Sequence, residues 1–111
     1  MQITERRAGE VTILDLSGPV TRSDGQGEVR AAVAPLLQCT EPSILLNMAG
    51  VDYMDSSGIG ELVSVFISVR NRRGTLKITN LTDRMRELFA VAQLVKVFEL
   101  FDDEDTAVRS F

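Results

Sequence analysis

The stretch ILLNMAGVDYMDSSGIGELVSVFISV, residues 44–69, decides the fold. It opens with Ile44, Leu45 and Leu46, a continuous apolar run behind the turn signal Pro42-Ser43. A short run without alternation suits a strand buried on both faces, and such strands belong to parallel sheets covered by helices. The stretch closes in a different period. Ile59, Leu62, Val63, Phe66, Ile67 and Val69 are apolar, while Glu61, Ser64, Ser68 and Asn71 recur every three or four residues. VSVFISV could alternate as a strand, but the polar spacing makes it a helix. Gly74, after Asn71-Arg72-Arg73, is the expected C-cap.

Working outward, the rest of the chain repeats this change of period. Downstream, Leu76 and Ile78 alternate around Lys77 in TLKIT, a short strand. Thr82-Asp83 then suits the N-cap of a helix carrying Met85, Leu88, Phe89 and Ala92. VKVFELF, residues 95–101, is expected as a last strand or extended segment. The acids Asp102, Asp103, Glu104 and Asp105 lack the glycine and ligand spacing of an EF-hand loop, so they suit a helix's first turn. Upstream, Gly9-Glu10 separates two short strands, Gln2 to Arg6 and Val11 to Leu16, as a β-hairpin. A glycine-rich loop follows, then a helix with Val29, Ala32, Val33, Leu36 and Leu37 at helical spacing. Pro35 must kink or shorten that helix, because it removes a backbone bond. The order ββαβαβαβα implies an α/β fold: a mixed, largely parallel sheet with helices packed on it, in a single domain spanning 1–111.

Composition narrows the chemistry. With 111 residues, 44% of them hydrophobic, one compact core forms without metal or disulfides. The formal net charge of −4 opposes direct nucleic-acid binding, which needs a basic face. Arg70, Arg72 and Arg73 read as the polar end of a helix. Cys39 is the only cysteine, and no segment resembles a signal peptide or an inserted membrane span. A cytoplasmic location follows as an expectation. There is no histidine, which excludes Ser-His-Asp and Cys-His catalysis and His-ligated metal. No enzyme activity, metal or cofactor is expected.

The turn Met54-Asp55-Ser56-Ser57-Gly58 lies between the buried strand and the long helix, where α/β folds place their ligand and switch sites. Capping alone needs one of its three polar residues, for about 1 kcal/mol. Gly58 and Gly60 each cost the helix roughly 1 kcal/mol relative to Ala. They are expected to clear side chains from around the serines so that something can approach closely. The pattern G-x-S-x-G is absent, and so is a phosphate loop. A receiver domain would need an acidic cluster after the first strand, where only Asp15 stands, inside the strand. Phosphorylation suits the turn physically. A phosphoserine carries about −1.5 to −2 charges, which the N–H groups of a helix start can bear.

MDSSGIGEL after ILLNMAGVDY resembles the signature of the anti-sigma factor antagonists of the STAS domain family. LDLSG, RNRRGTLKITNLT and MRELFAVAQLVKVFELFDDEDTAV extend the resemblance over most of the chain. The resemblance implies that the unphosphorylated protein binds an anti-sigma factor and frees the sigma factor it holds. It also implies that this partner is a serine kinase of the histidine-kinase-like ATPase fold, which phosphorylates Ser56 and so ends the complex. A metal-dependent Ser/Thr phosphatase would reset it. Asp55, Ser57, Gly58, Ile59 and Gly60 would meet the partner, with Ser57 capping the helix or shaping the turn. Family members often carry an Asp in a G-x-[LV]-D pattern after the early strand. Here Gly18-Pro19-Val20-Thr21 stands in that place, and Asp24 would substitute from a different position, which marks a divergent member. A monomer or weak dimer is expected. A second role stays open: an unphosphorylated scaffold or accessory module of a stress-signalling or transport complex.

Overall fold

The computed structural model describes all residues, 1–111. Five strands form one sheet in the order β1-β2-β3-β4-β5: Gln2–Ala8, Val11–Ser17, Ser43–Gly50, Thr75–Thr79 and Glu99–Phe101. The hairpin β1-β2 is antiparallel and every later pairing is parallel. The helices α1 (Glu28–Val33), α2 (Ser56–Asn71) and α3 (Asp83–Val91) link successive parallel strands, and α4 (Glu104–Arg109) ends the domain.

Side-chain alternation sorts the core into two layers. Leu14, Leu16, Ile44, Leu46, Met48, Leu76 and Ile78 point to the face covered by α1, α2 and α3, where they meet Val29, Leu62, Val65, Val69, Met85 and Phe89. Ile13, Leu45 and Val11 point the other way and meet Ala107 of α4 in a smaller cluster. Burying each such side chain contributes roughly 1.5–3 kcal/mol, so the three-helix face carries most of the stability. The α4 face is fastened by charge instead. Arg6 of β1 bonds Asp15 at 2.6 Å and Glu104 of α4 at 2.7 Å, and Asn47 donates to Asp15 at 2.8 Å. These bonds account for Asp15 inside an apolar strand, and they hold its carboxyl below the usual carboxylate range, Arg6 contributing most.

Two local expectations are narrowed in the folded chain and two change. Pro35 ends α1 at Val33, and the pattern continues as a 3₁₀ turn over Ala34–Gln38. VKVFELF is extended only at Glu99–Phe101, because Leu94–Lys96 form another 3₁₀ turn after Gln93 at φ 59°. Lys77 does not face solvent. It is buried under α4, donating to the Ser110 carbonyl at 2.8 Å and hydroxyl at 2.9 Å. Gly74 is not the left-handed residue after α2. Arg73 takes that role at φ 59°, with its N–H on Arg70 O and the Gly74 N–H on Val69 O, the two bonds of a Schellman motif. Gly74 is required sterically, since a Cβ there would stand 2.5 Å from the Pro42 carbonyl.

Candidate functional site

The site is the first turn of α2. The parallel strand β3 delivers the chain there through Val51–Asp55, and the loop from β2 to α1 crosses beside it. Val20 of that loop bridges Met54 and donates its N–H to the Tyr53 carbonyl at 3.1 Å. The two loops therefore meet as an extra step of the sheet beyond its last regular pair.

Asp55 is the N-cap. Its Oδ1 accepts the Gly58 N–H at 3.1 Å, and its Oδ2 accepts the Arg22 N–H from the neighbouring loop at 3.0 Å. The Arg22 bond contributes most to holding the Asp55 carboxyl below its usual range, with the Gly58 and Ser57 amides adding to it. Asp55 is thus ionised at neutral pH and already engaged by two donors. This corrects the expectation that Ser57 caps the helix. Ser57 is half-buried in the first turn and its hydroxyl bonds nothing, and the Ser56 hydroxyl, exposed at the first helical position, is equally free.

The two glycines separate. Gly58 is buried, and a Cβ on it would lie 2.1 Å from the Val20 carbonyl oxygen. It lets two backbones of this chain meet, so it does not open the surface as expected. Gly60 is exposed, and a Cβ there would touch nothing within 4 Å. Ile59 is half-buried against the main core cluster. Asp24 lies on the exposed Thr21–Asp24 turn, which two backbone bonds of 2.7 and 3.2 Å close. That turn is the one Asp55 holds through Arg22. The structure therefore brings Asp24, Asp55, Ser56, Ser57, Ile59 and Gly60 to one end of the sheet, with Gly58 beneath them.

Two features escaped the sequence. Glu61, read as part of a polar face, is only 4% exposed. Its carboxylate accepts the N–H groups of Gly27 at 2.6 Å and Arg30 at 3.0 Å, capping α1 from α2. The second feature is a half-open cavity of about 260 Å³ between the β3–α2 loop and α3, lined by Tyr53, Arg84, Leu88 and Val91 among others. Arg84 stands 5.7 Å from the Tyr53 ring centroid. The surface helical position of Glu61 looked like any solvated acid, whereas Tyr53 and Val91, 50% and 84% exposed, carried no periodic signal at all.

Known proteins match this arrangement along nearly the whole chain. The profile of the STAS domain covers residues 2–107. The anti-sigma-B factor antagonist of Listeria monocytogenes is 34% identical over 82 residues, 67% of this chain and 72% of its own. That of Bacillus subtilis is 30% identical over 102 residues, 92% of this chain and 84% of its own. Among solved structures, the Bacillus cell fate determinant SpoIIAA in its phosphorylated form superposes with a TM-score of 0.69 at 19% identity, covering 99% of this chain and 100% of that one. No helix is long and apolar enough to cross a membrane.

Proposed function

This chain belongs to the STAS domain family, and from that premise we propose that it is an anti-sigma factor antagonist switched by phosphorylation at Ser56. The observation that carries the reading is the Ser56 hydroxyl, exposed and unbonded at the start of a 16-residue helix whose capping need Asp55 already meets. A hydroxyl with no structural task can be modified without cost to the fold. The dipole and free N–H groups of the helix start favour the added charge.

In the unphosphorylated state an anti-sigma factor docks over this end of the sheet, and the sigma factor it held is released. Gly60 admits its backbone, Ile59 offers apolar surface, and Asp24, Asp55 and Ser57 frame Ser56. Gly58 contributes from below by fitting the loop to the helix. The partner is a serine kinase of the histidine-kinase-like ATPase fold: the Ser56 oxygen gives up its proton and takes the γ-phosphoryl group of ATP, with ADP leaving. The new charge beside ionised Asp55 then repels the docked surface, and a metal-dependent phosphatase restores the hydroxyl. Support comes from relatives that are anti-sigma-B factor antagonists and from a structural neighbour solved in a phosphorylated form.

Titration calorimetry of the anti-sigma factor against wild type and Ser56→Asp tests the switch. The substitution is expected to keep the fold, at a cost of no more than about 1 kcal/mol, and to weaken binding at least about tenfold, or 1.4 kcal/mol. Equal affinities would refute it.

A further inference from the structure

Three groups of α2 and its cap hold the segment between β2 and α1, each at a different place. At its start, Val20 is pinned by Tyr53, Met54 and the bare backbone of Gly58. At its end, Glu61 accepts the N–H groups of Gly27 and Arg30. Between these anchors lies the Thr21–Asp24 turn, closed on itself by its two backbone bonds and therefore moving as a unit. From the α2 side one hydrogen bond reaches that turn, from the Arg22 N–H to Asp55 Oδ2. From the β1 side, the Met1 amino group stands 3.9 Å from the Asp24 carboxylate, too far for a hydrogen bond.

The two carboxylates differ in how firmly they hold. Glu61 is buried, so giving up its bonds would strand a charge away from water. The Arg22–Asp55 bond is exposed, and water can replace either partner. Asp55 is also the residue next to Ser56. A phosphate there repels the Asp55 carboxylate and draws on the same N–H donors at the helix start.

We propose that Asp55 is a positioning residue that couples charge on Ser56 to the Thr21–Asp24 turn, while Glu61 keeps the far end of the segment fixed. The inference rests on Ser56 being the phosphoacceptor and adds a second lever to that switch. The exposed turn carrying Arg22, Ser23 and Asp24 leaves its place at Asp55 when Ser56 is charged, so a partner meets an altered surface as well as a new charge.

Amide exchange measured by NMR on the full chain tests the coupling without any partner. In Ser56→Asp, exchange at Arg22 is expected to rise about fivefold, what the loss of one modest net hydrogen bond allows. Gly27 and Arg30 should stay within about twofold of wild type, since Glu61's buried bonds are retained. Asp55→Asn should raise Arg22 exchange similarly, and adding Ser56→Asp to it should change Arg22 little further, because the two act through one bond. Glu61→Gln should do the reverse, speeding Gly27 and Arg30 while sparing Arg22. Unchanged Arg22 exchange in Ser56→Asp would overturn the coupling, as would an equal rise on the Asp55→Asn background. Weakened partner binding with Arg22 unchanged would discard the coupling and leave the phosphoacceptor reading intact. A shifted Arg22 with unchanged partner affinity would do the opposite.

Discussion

The two ends of α2 are built on opposite principles. At the C-terminal end the chain is closed on itself and tied to its neighbours. Arg73 and Gly74 donate to Arg70 and Val69, the Arg72 guanidinium bonds the Leu37 carbonyl, and the Arg72 carbonyl accepts from Glu41. At the N-terminal end Asp55 alone closes the helix and two serine hydroxyls remain unbonded. Both ends use glycine, with different consequences. Gly74 and Gly58 are glycines because a neighbouring carbonyl fills the space of a Cβ, whereas nothing fills that space at Gly60. A closed end fixes the helix in the fold. The open end keeps groups for another molecule.

Substitutions can break this contrast, and the largest effect belongs to Gly58. Gly58→Ala must displace the Val20 carbonyl, a backbone atom with no rotamer to escape into. We expect a loss of roughly 2 kcal/mol in chemical denaturation, within the usual range for overpacking and net of any gain in helix propensity. Unchanged stability would mean that the loop yields and that Gly58 resembles Gly60 after all.

Asp55→Ala comes next, at about 1 kcal/mol for a lost N-cap. Its pH dependence sharpens the point. The folded carboxyl lies below its ordinary value of 3.8, so its contribution is present above that value and is lost as pH falls through the lowered one. Unfolding curves of wild type and Asp55→Ala should therefore differ at neutral pH, draw together as pH falls below 3.8, and coincide only below the lowered value. A gap that persists in acid would move the effect from charge to packing.

The smallest effects fall on the open surface. Gly60→Ala should stabilise the chain by roughly 0.5–1 kcal/mol through helix propensity while weakening partner docking. Ser57→Ala should change stability by less than about 0.5 kcal/mol, as expected of a side chain that bonds nothing. A larger loss at Ser57 would restore it as a structural residue.

The alternation of elements was legible because periodicity records which way each side chain points. Ile44 to Leu46 and the helix from Ile59 onward read correctly on that basis, whereas the turn read over Met54–Gly58 is mostly the first turn of α2, which already begins at Ser56. What waits at the other end of a polar group was not legible. Glu61 and Lys77 sit at positions that pattern alone assigns to solvent, and each is buried by a partner distant in sequence, the N-terminus of α1 and the Ser110 carbonyl. Gly58 and Gly60 look alike in the sequence because the Val20 carbonyl that distinguishes them arrives from another loop. Ser57 was misassigned for a local reason: either serine or the aspartate could cap, and the choice followed from Arg22 approaching Asp55.

The open end of α2 has one central claim to answer for, that Ser56 carries the phosphate. Mass-spectrometric site mapping on protein purified from its native cells, beside a Ser56→Ala control, tests it most directly. Phosphate is expected on Ser56 in the wild type and none on the control. Protein that stays unmodified through growth and stress, or a phosphate that persists in the Ser56→Ala chain, would contradict it.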